Sequence, residues 1–133
     1  MPSIFSKIIA GQIPSYKIAE NEYAFAFLDI SPLKKGHTLV VPKIEIDKII
    51  DLDKNNFNQL FEFSKQIAKA IELSIPCNRV SFHVIGLEVP HAHIHLIPIN
   101  SPNDCNFQNE KLNLSKLEFE EIALQIKKNL KID

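Results

Sequence analysis

Apolar and polar positions along this chain change period several times, and each change marks an element. Ile4 and Ile8 lie one helical turn apart, between Ser3, a residue that caps helix N-termini, and Gly11, a residue that ends helices. A short helix is therefore predicted over 3–11. Residues 16–19 and 23–29 have strand character, and Glu20-Asn21-Glu22 between them suits a hairpin turn. Ser31-Pro32-Leu33-Lys34-Lys35-Gly36 is a loop, followed by the β-branched run Thr38-Leu39-Val40-Val41, which Pro42 closes. From about 53 to 73 the period lengthens to that of a helix, with Phe57, Leu60, Phe61, Ala68 and Ile71 as its apolar stripe. It should end near Ser74-Ile75-Pro76, because a proline disfavours helical backbone at the residue before it.

A strand over 80–85 and a loop over 86–90 follow, then a strand over 91–99 and a polar loop over 100–104. Ser115-Lys116-Leu117-Glu118 is a capping box that starts a last helix, with Phe119, Ala123, Ile126 and Leu130 on its apolar face. The expectation is a single α+β domain spanning 1–133: an antiparallel sheet of about five strands, a long central helix, and a C-terminal helix from about 115.

Composition narrows the class. The hydrophobic fraction is 45%, enough for a packed core. The net charge is −1 with no basic stripe, so generic binding to a nucleic-acid backbone is not expected. Arg79 is the single arginine, so phosphate chemistry would rest on histidines, backbone N–H groups or lysines. Cys77 and Cys105 read as reduced thiols of a cytoplasmic protein. The first residues lack the pattern of a signal peptide, and no run reaches the ~20 apolar residues of a membrane span, so no membrane partner is expected.

The strongest chemical signal is His91-Ala92-His93-Ile94-His95-Leu96-Ile97. In an extended strand successive side chains face opposite sides, so the three histidines share a face and start about 6–7 Å apart. Imidazole titrates near neutrality, so one histidine can attack phosphorus as a nucleophile while its neighbours orient it and donate a proton. Zinc ligation is the second reading, and three histidines on a solvated strand face without a ligand the third.

The triplet resembles the signature of the histidine-triad (HIT) family of nucleotide hydrolases and transferases. Ile4-Phe5 with Ile8, the run from Ala26 to Pro32, and Gly36-His37-Thr38-Leu39-Val40-Val41-Pro42-Lys43 resemble the Hint-like branch, purine nucleoside phosphoramidases, in order and spacing. The resemblance implies a HIT-like fold, a homodimer, no cofactor, and a purine nucleotide substrate. It implies that His93 attacks the α-phosphorus, that His95 contacts the phosphate, and that His91 orients His93 in a polar network with His37. Asp29 would accept from the ribose hydroxyls, and Ile4, Phe5, Ile8, Phe27, Leu28, Ile30 and Leu39 would form the slot for the base. On pattern alone Phe27 and Leu39 also fit a core, Asp29 a turn, and His37 a structural histidine.

The chain departs from its relatives in three places. Gly86-Leu87-Glu88 stands where many carry Gly-Gln-Ser or Gly-Gln-Thr, so Glu88 brings a negative charge toward the phosphate and is expected to pair with a cationic leaving group. His83 falls near a position where many carry asparagine, although its pattern fits a core or surface residue. Ser3 and Ser6 lie where some relatives bind structural zinc through cysteines, and no such site is expected here.

Overall fold

A computed structural model describes residues 2–131 of the chain. It contains helices α1 (Ile4–Ile9), α2 (Lys54–Ser74) and α3 (Lys116–Lys128), and strands β1 (Lys17–Glu20), β2 (Ala24–Leu28), β3 (Thr38–Pro42), β4 (Arg79–His83) and β5 (Ile94–Ile99). The strands form one antiparallel sheet in the order β1-β2-β3-β5-β4. The predicted α+β architecture is observed, with five strands.

Local chemistry starts and stops these elements. Ser6 N–H donates to Ser3 Oγ at 3.0 Å and opens α1. Asn21 Oδ1 accepts from the N–H groups of Tyr23 and Ala24, which makes the β1–β2 turn. Asp53 caps α2, and the Ser115–Glu118 capping box begins α3 as predicted. Gly36 has φ +93°, and a Cβ there would lie 2.9 Å from Ile75 Cγ1, so the turn into β3 takes glycine on two counts.

The two faces of the sheet do different work. Ala24, Ala26, Leu28, Val40, Ile94 and Leu96 point to one side, where α2 and α3 cover them. Leu60, Phe63, Ile67 and Ile71 line the buried face of α2. This shifts the predicted stripe: Phe57 is exposed and Phe61 is half-buried, because the helix turns Phe63 and Ile67 toward the sheet. On α3, Ile122 joins Phe119, Ala123 and Ile126, while Leu130 lies beyond the helix and packs on the core from its edge.

The opposite face carries a smaller apolar cluster, Phe5, Ile8, Phe25, Phe27, Leu39 and Val41. His95 pairs across the sheet with Leu39 on one side and His83 on the other, so its ring emerges on this second face. One expected boundary moves. β5 begins at Ile94, and His91 and His93 precede the ladder. Pro90 has no N–H to give, Ala92 N–H goes to Ile46 O at 2.7 Å, and His91 N–H turns back to Val89 O at 2.8 Å. β4 also ends at His83, short of the predicted 85. Among the described residues, no helix is long and apolar enough to cross a membrane.

Candidate active site

All five histidines of the chain gather on the second face. Backbone atoms, whose hydrogen-bonding roles are fixed, decide where the proton sits on each ring. Leu33 N–H points at His37 Nδ1 at 3.0 Å, so Nδ1 accepts and the proton lies on Nε2. His37 Nε2–H then donates to His95 Nδ1 at 3.0 Å, with Asp29 Oδ2 beside it at 3.5 Å. His95 Nδ1 is therefore an acceptor, and the proton of His95 is on Nε2.

The neighbouring ring is wired in the opposite sense. The carbonyl of His91 can only accept, so His93 donates Nδ1–H to it at 2.8 Å and keeps a lone pair on Nε2. His91 itself is held at both nitrogens. Nε2–H donates to Pro42 O at 2.8 Å, and Nδ1 accepts from the Ser3 hydroxyl at 2.6 Å. His83 donates Nε2–H to Ser81 Oγ at 2.9 Å, and that hydroxyl donates onward to Ile97 O at 3.1 Å.

Two histidines 4.9 Å apart, ring centre to ring centre, thus present complementary groups: an Nε2 lone pair on His93 and an Nε2–H on His95. Burial suits both to neutrality. It pushes His37 and His95 down to about 3, helped by the charges that neighbouring histidines would carry if protonated. Burial also lowers His93, opposed by its hydrogen bond to the His91 carbonyl and by the negative charge of Glu88. Asp29 is shifted upward, mainly by burial, against the Ser31 N–H that donates to it at 2.9 Å.

These shifts have a consequence for stability. The unfolded chain takes up protons near pH 6.5, whereas folded His37 and His95 resist them down to about 3. The unfolded state then binds more protons, so their contribution is complete above pH 6.5 and is lost as the pH falls toward 3. Denaturant titrations at stepped pH are expected to show unfolding free energy falling between pH 6.5 and 4.5, at up to about 1.4 kcal/mol per pH unit for each histidine. Stability that stays flat over that window would contradict the proton assignments.

The remaining expected residues divide between the two faces. Phe5 packs edge-on against His93 at 4.9 Å and His91 at 5.8 Å, and Ile8, Phe27 and Leu39 continue this apolar floor. Ile4 and Ile30 are exposed. Leu28 does not belong to it: strand alternation sends its side chain to the opposite face, into the core with Ala26 and Val40. Glu88 is exposed in the loop before the histidines, and its charge is felt at both His93 and Asp29.

Several residues beside the site carry no signal in the periodicity of the sequence. His83 has no periodic neighbour to mark it, yet the register places it opposite His95. It is neither core nor plain surface. Glu45 Oε1 accepts from Ser3 N–H at 2.7 Å and from the Ser6 hydroxyl at 2.6 Å, which ties α1 to His91 through Ser3. Phe107 packs edge-on against His95 at 5.0 Å, His83 at 5.7 Å and His37 at 6.2 Å.

The alternative in which the three triad histidines ligate a metal meets occupied ring nitrogens. Both nitrogens of His91 and Nδ1 of His93 already have protein partners. Asp29, His37 and His95 do offer ligand atoms within 4.8 Å of one another. Binding through His37 Nε2 would move its proton to Nδ1, against the Leu33 N–H. The donor set is built for proton placement and does not fit a resident metal.

Comparison with known proteins places the chain in a family. The profile of the HIT domain matches residues 10–101. The chain is 42% identical to Protein hit of Bacillus subtilis over 107 residues, 71% of this chain and 69% of that one. It is 38% identical to an adenosine 5′-monophosphoramidase of Saccharomyces cerevisiae over 96 residues, 71% of this chain and 61% of the yeast protein. A crystal structure of a HIT family member from Bacillus subtilis superposes with a TM-score of 0.74 at 33% identity, covering 100% of both chains. A Hit-like protein of Bartonella henselae superposes with a TM-score of 0.83 at 28% identity, covering 96% of both chains. On sequence and fold together, the chain belongs to the HIT family.

Proposed function

We propose that the protein is a nucleotide hydrolase or transferase that cleaves purine nucleoside phosphoramidates through a covalent nucleotidyl-histidine intermediate. The observation that carries this reading is the opposite wiring of His93 and His95. His93 Nε2 attacks the α-phosphorus. As the new P–N bond forms, the bond from phosphorus to the leaving amine breaks, and His95 Nε2–H supplies the proton that lets the amine depart neutral, the negative charge left on the His95 ring being balanced by the positive charge of the His93 ring now bonded to phosphorus. Water then attacks phosphorus, the bond to His93 breaks, and the nucleoside monophosphate leaves. One water proton restores His95 Nε2–H.

The residues around the pair supply the rest. His37 keeps His95 in its donor form, and His91, held by Ser3 and Pro42, fixes the carbonyl that orients His93. Asp29, at the end of the apolar floor, is a carboxylate acceptor for the ribose diol. Phe5, Ile8, Phe27 and Leu39 give the base an apolar seat, with Ile4 and Ile30 at its rim. The phosphoramidase activity in the name of the yeast relative points to the same bond class.

Incubation with adenosine 5′-phosphoramidate tests this reading. AMP release is expected, at a rate that a chelator leaves unchanged. A chelator-sensitive rate would favour metal chemistry at Asp29, His37 and His95. Tight binding without turnover would make the protein a nucleotide-binding module.

A further inference from the structure

We infer that Glu45 is a positioning residue for the nucleophile, an inference that rests on the phosphoramidate reading above: through Ser3 and His91 it fixes the carbonyl on which the His93 ring turns. Glu45 is exposed and stands outside the histidine cluster, yet its Oε1 is committed twice. It accepts from Ser3 N–H at 2.7 Å and from the Ser6 hydroxyl at 2.6 Å. These donors, the Ser3 N–H foremost, hold the Glu45 carboxyl down to about 2, so it stays an acceptor across the neutral range.

From Glu45 the hydrogen bonds close into a ring. Ser6 N–H donates to Ser3 Oγ at 3.0 Å, and the Ser3 hydroxyl donates to His91 Nδ1 at 2.6 Å. His91 Nε2–H returns at 2.8 Å to the carbonyl of Pro42, in the same stretch of chain as Glu45. The next residue after Glu45 adds a further tie, because Ile46 O accepts from Ala92 N–H at 2.7 Å. That N–H and the His91 carbonyl belong to one planar peptide, so holding one aims the other. The carbonyl so aimed is the acceptor for His93 Nδ1–H at 2.8 Å.

Helix α1 brings a second contact to the same two histidines. Phe5, close behind Ser3, packs on the rings of His91 at 5.8 Å and His93 at 4.9 Å. A helix of 6 residues is a weak element by itself, so it needs an anchor, and Glu45 supplies two bonds at its start. Without that carboxylate the start of α1 is freed, Ser3 no longer steadies His91, and the His93 lone pair is aimed at phosphorus for less of the time. Misplacement on the order of 1 Å can cost up to about 10²-fold in rate.

The test measures kcat and KM for adenosine 5′-phosphoramidate, together with the nitrogen NMR signals of the His93 ring, in the full chain and in Glu45→Ala, Ser3→Gly and the double variant. Glycine keeps most of the capping preference of serine and removes the hydroxyl, so Ser3→Gly separates the two roles of that residue. In each single variant kcat is expected to fall about tenfold, with KM changed by less than about twofold. The double variant should be no slower than the slower single one, because Glu45 acts through Ser3. The His93 signals should change from the Nδ1–H form alone to a mixture of tautomers. An unchanged kcat, losses that multiply in the double variant, or a His93 ring that keeps its Nδ1–H form would overturn the inference while leaving the proposed reaction intact. A rise in KM at constant kcat would overturn it too, since Glu45 would then only support the seat of the base. If the unaltered chain releases no AMP, the reaction falls, and the His93 signals alone decide whether Glu45 positions that ring.

Discussion

Replacing His93 with alanine is expected to lower the release of AMP from adenosine 5′-phosphoramidate by about 10⁴-fold or more, with the fold retained. The size follows from what is removed. Nucleophilic catalysis splits one difficult displacement into two easier ones, and without the Nε2 lone pair neither half has a partner atom. His95 still presents its proton and the apolar floor still seats the base, so substrate binding should survive with little change. The fold should survive too, because the His93 ring makes one protein hydrogen bond, to the carbonyl of His91. A variant that keeps more than about a tenth of the activity, well outside the loss expected for a nucleophile, would move the attack elsewhere in the histidine cluster.

The second large effect is on stability. Phe63 is 1% exposed at the centre of the α2 face that packs on the sheet. Phe63→Ala should cost about 3–5 kcal/mol, from the lost burial and the cavity left among Leu60, Ile67 and the sheet residues. Urea unfolding followed by circular dichroism measures this. A loss below about 1 kcal/mol would mean that α2 repacks freely, contrary to a core in which large buried side chains share one closed cluster. The consequence reaches the site, because Ile94 and Leu96 present the other face of the strand that carries His95 to the same cluster.

The contrast between these two residues reflects what a linear pattern records. Local rules were legible: the Ser3 cap, the Asx turn at Asn21, the Ser115 capping box and the strand periods all rest on neighbours a few residues apart. The alternation of His91, His93 and His95 also drew attention to the correct segment. It did not show that hydrogen-bond pairing in β5 starts only at Ile94, since that depends on Ala92 finding the carbonyl of Ile46. Nor did it separate the rings chemically. That separation comes from single backbone atoms of Leu33, Pro42 and His91, and from Ser3, which stands 88 residues before His91.

Residues without periodicity are marked only by the fold. His83 enters through cross-strand register, Phe107 through a segment folded back on the loop after β2, and Glu45 through a link to α1. Leu28 shows the converse error, in which the family resemblance implied a place in the base slot that strand alternation denies it. Phe63 and Ile67 were passed over because apolar residues are dense along α2, and only the sheet decides which of them face inward.

The central claim is that His93 becomes covalently bonded to the nucleotide during turnover. Mixing the protein with excess adenosine 5′-phosphoramidate and quenching in alkali, where a phosphoramidate bond to histidine persists, allows the adduct to be mapped by mass spectrometry of peptides. The account predicts a single adenylylated residue, His93, whose labelling decays as AMP appears. Turnover without any adduct, or an adduct on His95 or His37, would contradict it.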